Sequence, residues 1–240
     1  MKKSILLLIC AVFLLSYTTE AQPYEKIKGN GKVVTETRTT GDYDSIKISG
    51  FFDVNLVAGK EGKITIKGEE NLLSYIKVEV EDNTLKIHIE KFTNIRPTKS
   101  VEIVVPFEKI SELSLSGSGN VASKDVIKND KLAVKLSGSG DFNLPVDADN
   151  LELNVSGSGN INLKGTADNF TTKLSGSGDI DASNLKSKNV IANVSGSGNT
   201  KVSSNESLIA RVAGSGNIKY TGNPEKRDVK VSGSGNITKG

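Results

Sequence analysis

Few side chains in this 240-residue chain are of a type that does chemistry. There is one histidine, one cysteine, one methionine and no tryptophan. That inventory excludes most zinc and haem sites, disulfide frameworks and thiol catalysis. His88 stands between Ile87 and Ile89, at the polar position of an alternating stretch. It reads as a solvent-facing strand residue rather than a ligand or general base. Asp141 and Asp179 occupy the same position in two copies of a repeated motif, with Asn160 in the copy between them. Stacked at ~4.8 Å per copy they stand ~10 Å apart, a separation that suits an inverting pair of glycosidase carboxylates. Neither has an apolar or basic neighbour to tune it, and Asn and Asp exchange easily at turns. No catalytic residue, metal ligand or cofactor is therefore assigned, and the protein is expected not to be an enzyme.

The glycines invite two further readings, and both fail on spacing. A calcium-binding β-roll repeats Gly-Gly-x-Gly-x-Asp every nine residues. Here the second half of each repeat lacks a glycine-rich loop, and Asp closes only two of the seven motifs. A phosphate loop needs a following Lys-Ser/Thr and a helix start, and neither is present. Asp44-Ser45-Ile46 matches the Asp-Ser/Thr-aliphatic acceptor of Bacteroidetes O-glycosylation, which makes Ser45 a candidate site on an exposed surface.

The elements that would position these groups follow from one repeat. Gly-Ser-Gly occurs at 117–119, 138–140, 157–159, 176–178, 196–198, 214–216 and 233–235, at spacings of 21, 19, 19, 20, 18 and 19. A period near nineteen over seven copies is the mark of a solenoid. Around each copy the apolar residues share one parity, as in Leu151, Leu153, Val155, Gly157, Gly159, Ile161 and Leu163. Period two means strand, and one parity means one buried face. The glycines fall in phase with the buried set, where a missing side chain lets the chain bend or lets opposite walls approach.

The fold predicted is an all-β, right-handed, single-stranded parallel β-helix with about 19 residues per coil. Its main rival is an antiparallel meander or sandwich with one hairpin per repeat. The opposite parity then forms a candidate surface ladder: Ser118, Asn120, Ser139, Asp141, Ser158, Asn160, Ser177, Asp179, Ser197, Asn199, Ser215, Asn217, Ser234 and Asn236. Such ladders extend hydrogen bonding along the axis, although Asn at a tight corner can also turn inward to the backbone.

Residues 22–108 lack Gly-Ser-Gly but keep the alternation. Ser49-Gly50-Phe51-Phe52-Asp53 stands where Ser-Gly-Ser-Gly-Asn would stand. These are read as earlier, bulkier coils, with Phe52 filling a wider end of the core. A short helical turn is expected within Glu69–Tyr75, and a loop over Phe92–Lys99 broken by Pro97. Dividing length by period gives about eleven coils and a rod on the order of 50 Å. The domain organisation expected is a signal peptide over 1–21 and one β-helical domain over 22–240, with degenerate coils to 108 and Gly-Ser-Gly coils over 109–240.

The address is read from the start of the chain. Met1-Lys2-Lys3 precedes an apolar run from Ile5 to Leu15, and Thr19-Glu20-Ala21 ends in small residues. This is the pattern of a secretory signal peptide cleaved after Ala21, leaving Gln22 first. Eleven apolar residues rise only ~16 Å as a helix, about half of the ~30 Å hydrocarbon core. Cys10 lies inside the run after Ile9, not after a small residue at its end, so it is not read as a lipoprotein cysteine. The mature chain would hold 29 basic against 27 acidic residues, no cysteine, no membrane span and no C-terminal lipid anchor. The address expected is exported: periplasm, outer cell surface or extracellular space. The whole-chain charge of +3 is too balanced for a nucleic-acid partner.

The run Ile48-Ser49-Gly50-Phe51-Phe52-Asp53-Val54, followed by repeated Leu-Ser-Gly-Ser-Gly-Asn/Asp, resembles the auto-transporter adhesin head-domain family of exported Bacteroidetes proteins, over about residues 40–237. The resemblance implies an exported β-helical protein and carries no catalytic residues with it. No C-terminal membrane barrel of the kind a true auto-transporter has is recognised. The function expected is adhesion or contact with the cell-envelope surface, with glycan or envelope as the candidate partner. The alternatives are a polysaccharide-binding or polysaccharide-cleaving β-helix, and a structural spacer or homo-oligomer joined through the C-terminal edge. Lys219, Lys226, Arg227, Lys230 and Lys239 gather at that edge, where charge discourages stacking by other chains.

Overall fold

Alternation decides the architecture. Leu151, Leu153 and Val155 are no more than 2% exposed, whereas Glu152 and Ser156 between and after them lie in solvent. A computed structural model describes residues 26–240. The signal-peptide expectation over 1–21, with Ala21 and Gln22, lies outside the described residues.

Among the described residues the chain is all-β apart from one 3-10 turn. β1 (Lys26–Lys28), β2 (Val33–Thr39), β3 (Ser45–Gly50), β4 (Asp53–Ala58) and β5 (Lys63–Glu69) precede that turn at Leu73–Tyr75. β6 (Ile76–Glu81), β7 (Thr84–Ile89), β8 (Asn94–Arg96), β9 (Glu102–Phe107), β10 (Glu112–Gly117) and β11 (Asn120–Ser123) come next. Five long strands then each cover most of a turn: β12 (Ile127–Gly138), β13 (Asp141–Gly157), β14 (Ile161–Gly176), β15 (Ile180–Gly196) and β16 (Asn199–Gly214). β17 (Asn217–Thr221), β18 (Lys226–Gly233) and β19 (Asn236–Lys239) complete the stack.

Consecutive long strands pair in parallel and in register. Leu132, Leu151, Phe170, Val190 and Leu208 lie over one another, as do Gly138, Gly157, Gly176, Gly196 and Gly214. This is the β-solenoid that the repeat predicts, and it rules out the antiparallel meander for this half. The unequal turn lengths are absorbed away from the Gly-Ser-Gly corner. Register slips fall between Asn162 and Lys164 and between Ala182 and Lys186, while the corner stays aligned throughout.

At the corner the glycines let the chain bend, as one of the two sequence readings has it, with positive φ at the first glycine of each motif. They do not let opposite walls approach. They let one turn rest on the next. Gly157 has φ +136°, and a Cβ there would lie 2.8 Å from the carbonyl carbon and 3.0 Å from the amide nitrogen of Gly138 one turn below. A Cβ at Gly159 would run into the Gly140 backbone and lie 2.6 Å from Leu136 Cδ2. In return Ser158 donates its backbone N–H to Gly138 O at 2.9 Å, and the contact recurs as Ser177 to Gly157 and Ser197 to Gly176, both at 2.9 Å. Backbone satisfaction at the bend therefore depends on side chains being absent.

The first half departs from a simple run of coils. Gly50 stacks on Gly117 and Asp53 on Asn120, so the Ser-Gly-Phe-Phe-Asp segment does take the corner position. Yet Asn120 comes 67 positions after Asp53, and the segment between them does not form a regular run of coils. β7 and β9 pair in parallel with β3 and β4, but β6 pairs antiparallel with β7, β5 with β9, and β2 with β5. Hairpins need only short connections, and they close this end of the stack with antiparallel edges. The solenoid consequently has about 7 turns rather than eleven, which at ~4.8 Å per turn is a stack of ~34 Å. The 3-10 turn falls inside the expected helical segment. The expected loop before Pro97 instead contains β8, paired in parallel with β1.

Glu69 ties these outer elements together. Its buried carboxylate accepts bonds from Thr98 N and Oγ1 (2.6 and 2.7 Å), Gly31 N (2.6 Å) and Lys99 N (3.3 Å). Burial alone would raise its pKa, but these four donors prevail and hold it at about 2.

Candidate functional site

The candidate ladder residues lie on one edge of the solenoid. In every copy the serine between the two glycines and the closing Asn or Asp are exposed, so these side chains face solvent and not the corner interior. The second glycine of each motif is buried and the first half-buried, except at Gly233 on the last turn, which is exposed.

The Asn/Asp row is a directed chain of hydrogen bonds. Asn120 Nδ2 donates to Asp53 Oδ1 at 2.7 Å. Asn160 donates its backbone N (2.7 Å) and Nδ2 (3.1 Å) to Asp141 Oδ1. Asn199 does the same to Asp179 Oδ1 at 2.9 and 3.0 Å. Asn217 Nδ2 continues to Asn199 Oδ1 at 2.9 Å, and Asn236 N to Asn217 Oδ1 at 3.0 Å. Every donor reaches back towards the preceding turn. Ionised Asp only accepts, so each segment starts at an aspartate: Asp53, Asp141 and Asp179. Asp141 and Asp179 are thereby engaged by neighbouring amides on an exposed corner.

The sequence reading missed a second row at another corner. Asn169 Nδ2 donates to Asn150 Oδ1 and Asn189 Nδ2 to Asn169 Oδ1, both at 3.1 Å, and Ser207 Oγ donates to Asn189 Oδ1 at 2.6 Å. The signal was present, since Asn150, Asn169 and Asn189 keep the motif's period just ahead of Leu151, Phe170 and Val190.

The remaining candidates fall elsewhere. Ser45 is half-buried at the start of β3, on the outward row that also holds Glu112. His88 Nε2 lies 3.3 Å from Glu79 Oε1 on the β6–β7 hairpin, and His88 pairs with Ser49 of β3. Asp181 sits beside the Asp/Asn corner. Burial would raise it, but Ser183 Oγ (2.5 Å), Ser183 N (3.1 Å) and Lys201 Nζ (3.1 Å) hold it below the usual carboxylate range. Among the described residues no group of three His, Cys, Asp or Glu side chains is placed to hold a metal ion. Among the same residues no helix is long and apolar enough to cross a membrane.

On the outward face of the strands that lead into the corner, a shallow groove of about 580 Å³ runs along the axis. Two straight rows line it. One is serine: Ser137, Ser156, Ser175 and Ser195. The other alternates Lys135, Asn154, Lys173 and Asn193.

Residues 42–224 match the family described as "Putative auto-transporter adhesin, head GIN domain". Among solved structures, one described as a putative adhesin from Bacteroides fragilis is 27% identical with a TM-score of 0.84, covering 89% of this chain and 99% of that one. One described as a putative lipid binding protein from Parabacteroides distasonis is 29% identical with a TM-score of 0.76, covering 90% and 100%. A putative adhesin from Parabacteroides merdae is 25% identical with a TM-score of 0.69, covering 90% and 99%. No curated protein matches the chain.

Proposed function

The chain belongs to the auto-transporter adhesin head GIN domain family, and from that premise we infer that it is an exported, non-enzymatic solenoid that contacts cell-envelope or cell-surface material. The observation that carries the reading is the repetition of one exposed Ser-Gly-Asn/Asp edge over consecutive turns, in strict register. A surface that repeats every turn suits a partner that also repeats, and it binds by adding many weak contacts. Two further observations support export and the absence of catalysis: the signal-peptide pattern of residues 1–21, and the engagement of Asp141 and Asp179 by Asn160 and Asn199.

The test is retention of the purified, exported protein on arrayed envelope polysaccharides and on whole envelope fragments, with and without calcium. Retention on at least one of these is the expected result. No retention on any of them discards the adhesive reading. Cleavage of an arrayed glycan that is lost in the D141N/D179N double variant would replace it with an enzymatic one.

A further inference from the structure

Two turns, not one, are the unit of the cationic row. The residues before the corner read Lys135-Leu, Asn154-Val, Lys173-Leu, Asn193-Val, Arg211-Val and Lys230-Val, and those closing it read Asp141, Asn160, Asp179, Asn199, Asn217 and Asn236. A Lys…Asp turn alternates with an Asn…Asn turn through the second to fifth copies. The register stacks Lys135, Asn154, Lys173, Asn193, Arg211 and Lys230 in a single file. Lys135, Lys173 and Arg211 therefore present a positive charge every ~9.6 Å, with a neutral amide between.

The hydrogen-bond inventory separates this face from the corner ladder. The corner asparagines are occupied by the Asp or Asn of the preceding turn. None of the hydroxyls of Ser137, Ser156, Ser175 and Ser195 has a hydrogen-bond partner among the described residues, and neither Lys173 nor Lys230 has an ion pair there. Carboxylates flank only part of the row. Lys135 pairs with Glu112 at 2.9 Å, Arg211 pairs with Asp228, and Asn154 Nδ2 donates to Glu152 Oε1 at 2.8 Å. Beside Lys173 and Asn193 the same outer row carries uncharged Thr171 and Ile191. A second, smaller groove shares Asn193 and Ser195 with the first and is lined further along the axis by Arg211, Lys230 and Ser232.

We propose that this groove binds a linear acidic polysaccharide that carries one carboxylate or sulfate on every second sugar, lying along the solenoid axis. Two sugars of an extended chain have about the length of two solenoid turns. An anion on alternate sugars then meets Lys135, Lys173 and Arg211 in turn. The hydroxyls of the chain meet the open serine row and the amide of Asn193. A densely charged polyanion does not fit, because Glu112, Glu152 and Asp228 would repel the extra charges. The inference rests on the adhesive reading and adds the ligand class and the face.

The experiment measures binding of the exported protein to three ten-sugar probes: hyaluronan (one carboxylate per disaccharide), neutral N-acetyl chitin and heparin. Hyaluronan is expected to bind best, with an affinity that falls as salt rises. K173Q should weaken it about tenfold, the loss of one charge-assisted contact. K135Q/K173Q/R211Q should abolish measurable binding, while K128Q/K164Q, on other faces, should leave it unchanged. Circular dichroism and urea melts check that each variant remains folded. Equal binding of the neutral chain, stronger binding of heparin, or a triple variant that binds like the native protein overturns the proposal. If hyaluronan fails but envelope fragments are still retained, this proposal falls and the adhesive reading stands. If both fail, both fall.

Discussion

Phe52 and Gly119 occupy the same place on adjacent turns, and the two halves of the molecule differ as that pair does. Below the corner at residues 50–52 no chain is stacked: pairing stops at Ser49 on His88 and resumes at Asp53 on Glu102. With no turn underneath, a phenyl ring can occupy the position, and Phe52 is fully buried. From Gly119 onwards another turn always lies directly below, and only glycine fits. The first half is thus held by individual side chains in non-repeating contacts. The second is held by backbone stacked on backbone, with amide rows along its edges. Regularity follows from close stacking, and where stacking is interrupted the sequence becomes irregular.

The sharpest way to break this contrast is to empty the bulky corner. Phe52→Ala removes a fully buried ring that its neighbours cannot replace, with an expected loss of about 4 kcal/mol. Urea unfolding followed by far-UV circular dichroism measures it. Gly157→Ala attacks the other corner. It forces a side chain on to a backbone held at φ +136° and against the Gly138 peptide, for an expected loss of about 3 kcal/mol. Gly41→Ala is the matched control in the first half, since nothing lies within 4 Å of the added carbon. It should change stability by no more than ~0.5 kcal/mol. If Gly157→Ala behaved like Gly41→Ala, the stacking account of the motif would fail.

A smaller, local effect distinguishes the closed end. The folded pKa of Glu69 is about 2, below its ordinary 4.5. A depressed carboxylate contributes fully above pH 4.5 and loses that contribution as the pH falls through 2. Protection of the Gly31, Thr98 and Lys99 amides, taken as exchange relative to the intrinsic rate at each pH, should therefore fall on acidification across that window, while that of Ser158 and Ser177 at the glycine corners should not follow it. Glu69→Gln should give the lower protection already at neutral pH.

How much of this was legible in the sequence follows from the same contrast. The solenoid, its period, the outward serines and the correspondence of Gly50 with the later motifs could all be read, because each is a periodic consequence of stacking. The hairpins of the first half could not. Val78, Val80, Leu85 and Ile87 alternate whether their strands run parallel or antiparallel, so alternation reports burial and says nothing of direction. Hence the count of coils came out too high. The role of Glu69 was hidden too, since its donors come from residues 29 to 38 positions away. The two-turn alternation of Lys and Asn was present in the letters, but it gained meaning only when the register placed those residues in one file.

The finest prediction concerns the direction of the corner ladder. If asparagine and aspartate were interchangeable turn residues, swapping either for the other would be nearly neutral. The geometry says otherwise. Asn160 donates to Asp141, and Asp141 has no side-chain proton to pass on towards Asn120. Asn160→Asp therefore loses a bond and sets one carboxylate against another a single turn away. At low salt it should cost about 1 kcal/mol in urea unfolding, and less in high salt. Asp141→Asn supplies the missing donor, so it should leave stability unchanged or raise it slightly by joining two segments of the ladder. Equal effects for the two substitutions would show that the row has no direction and that the aspartates are not its starting points.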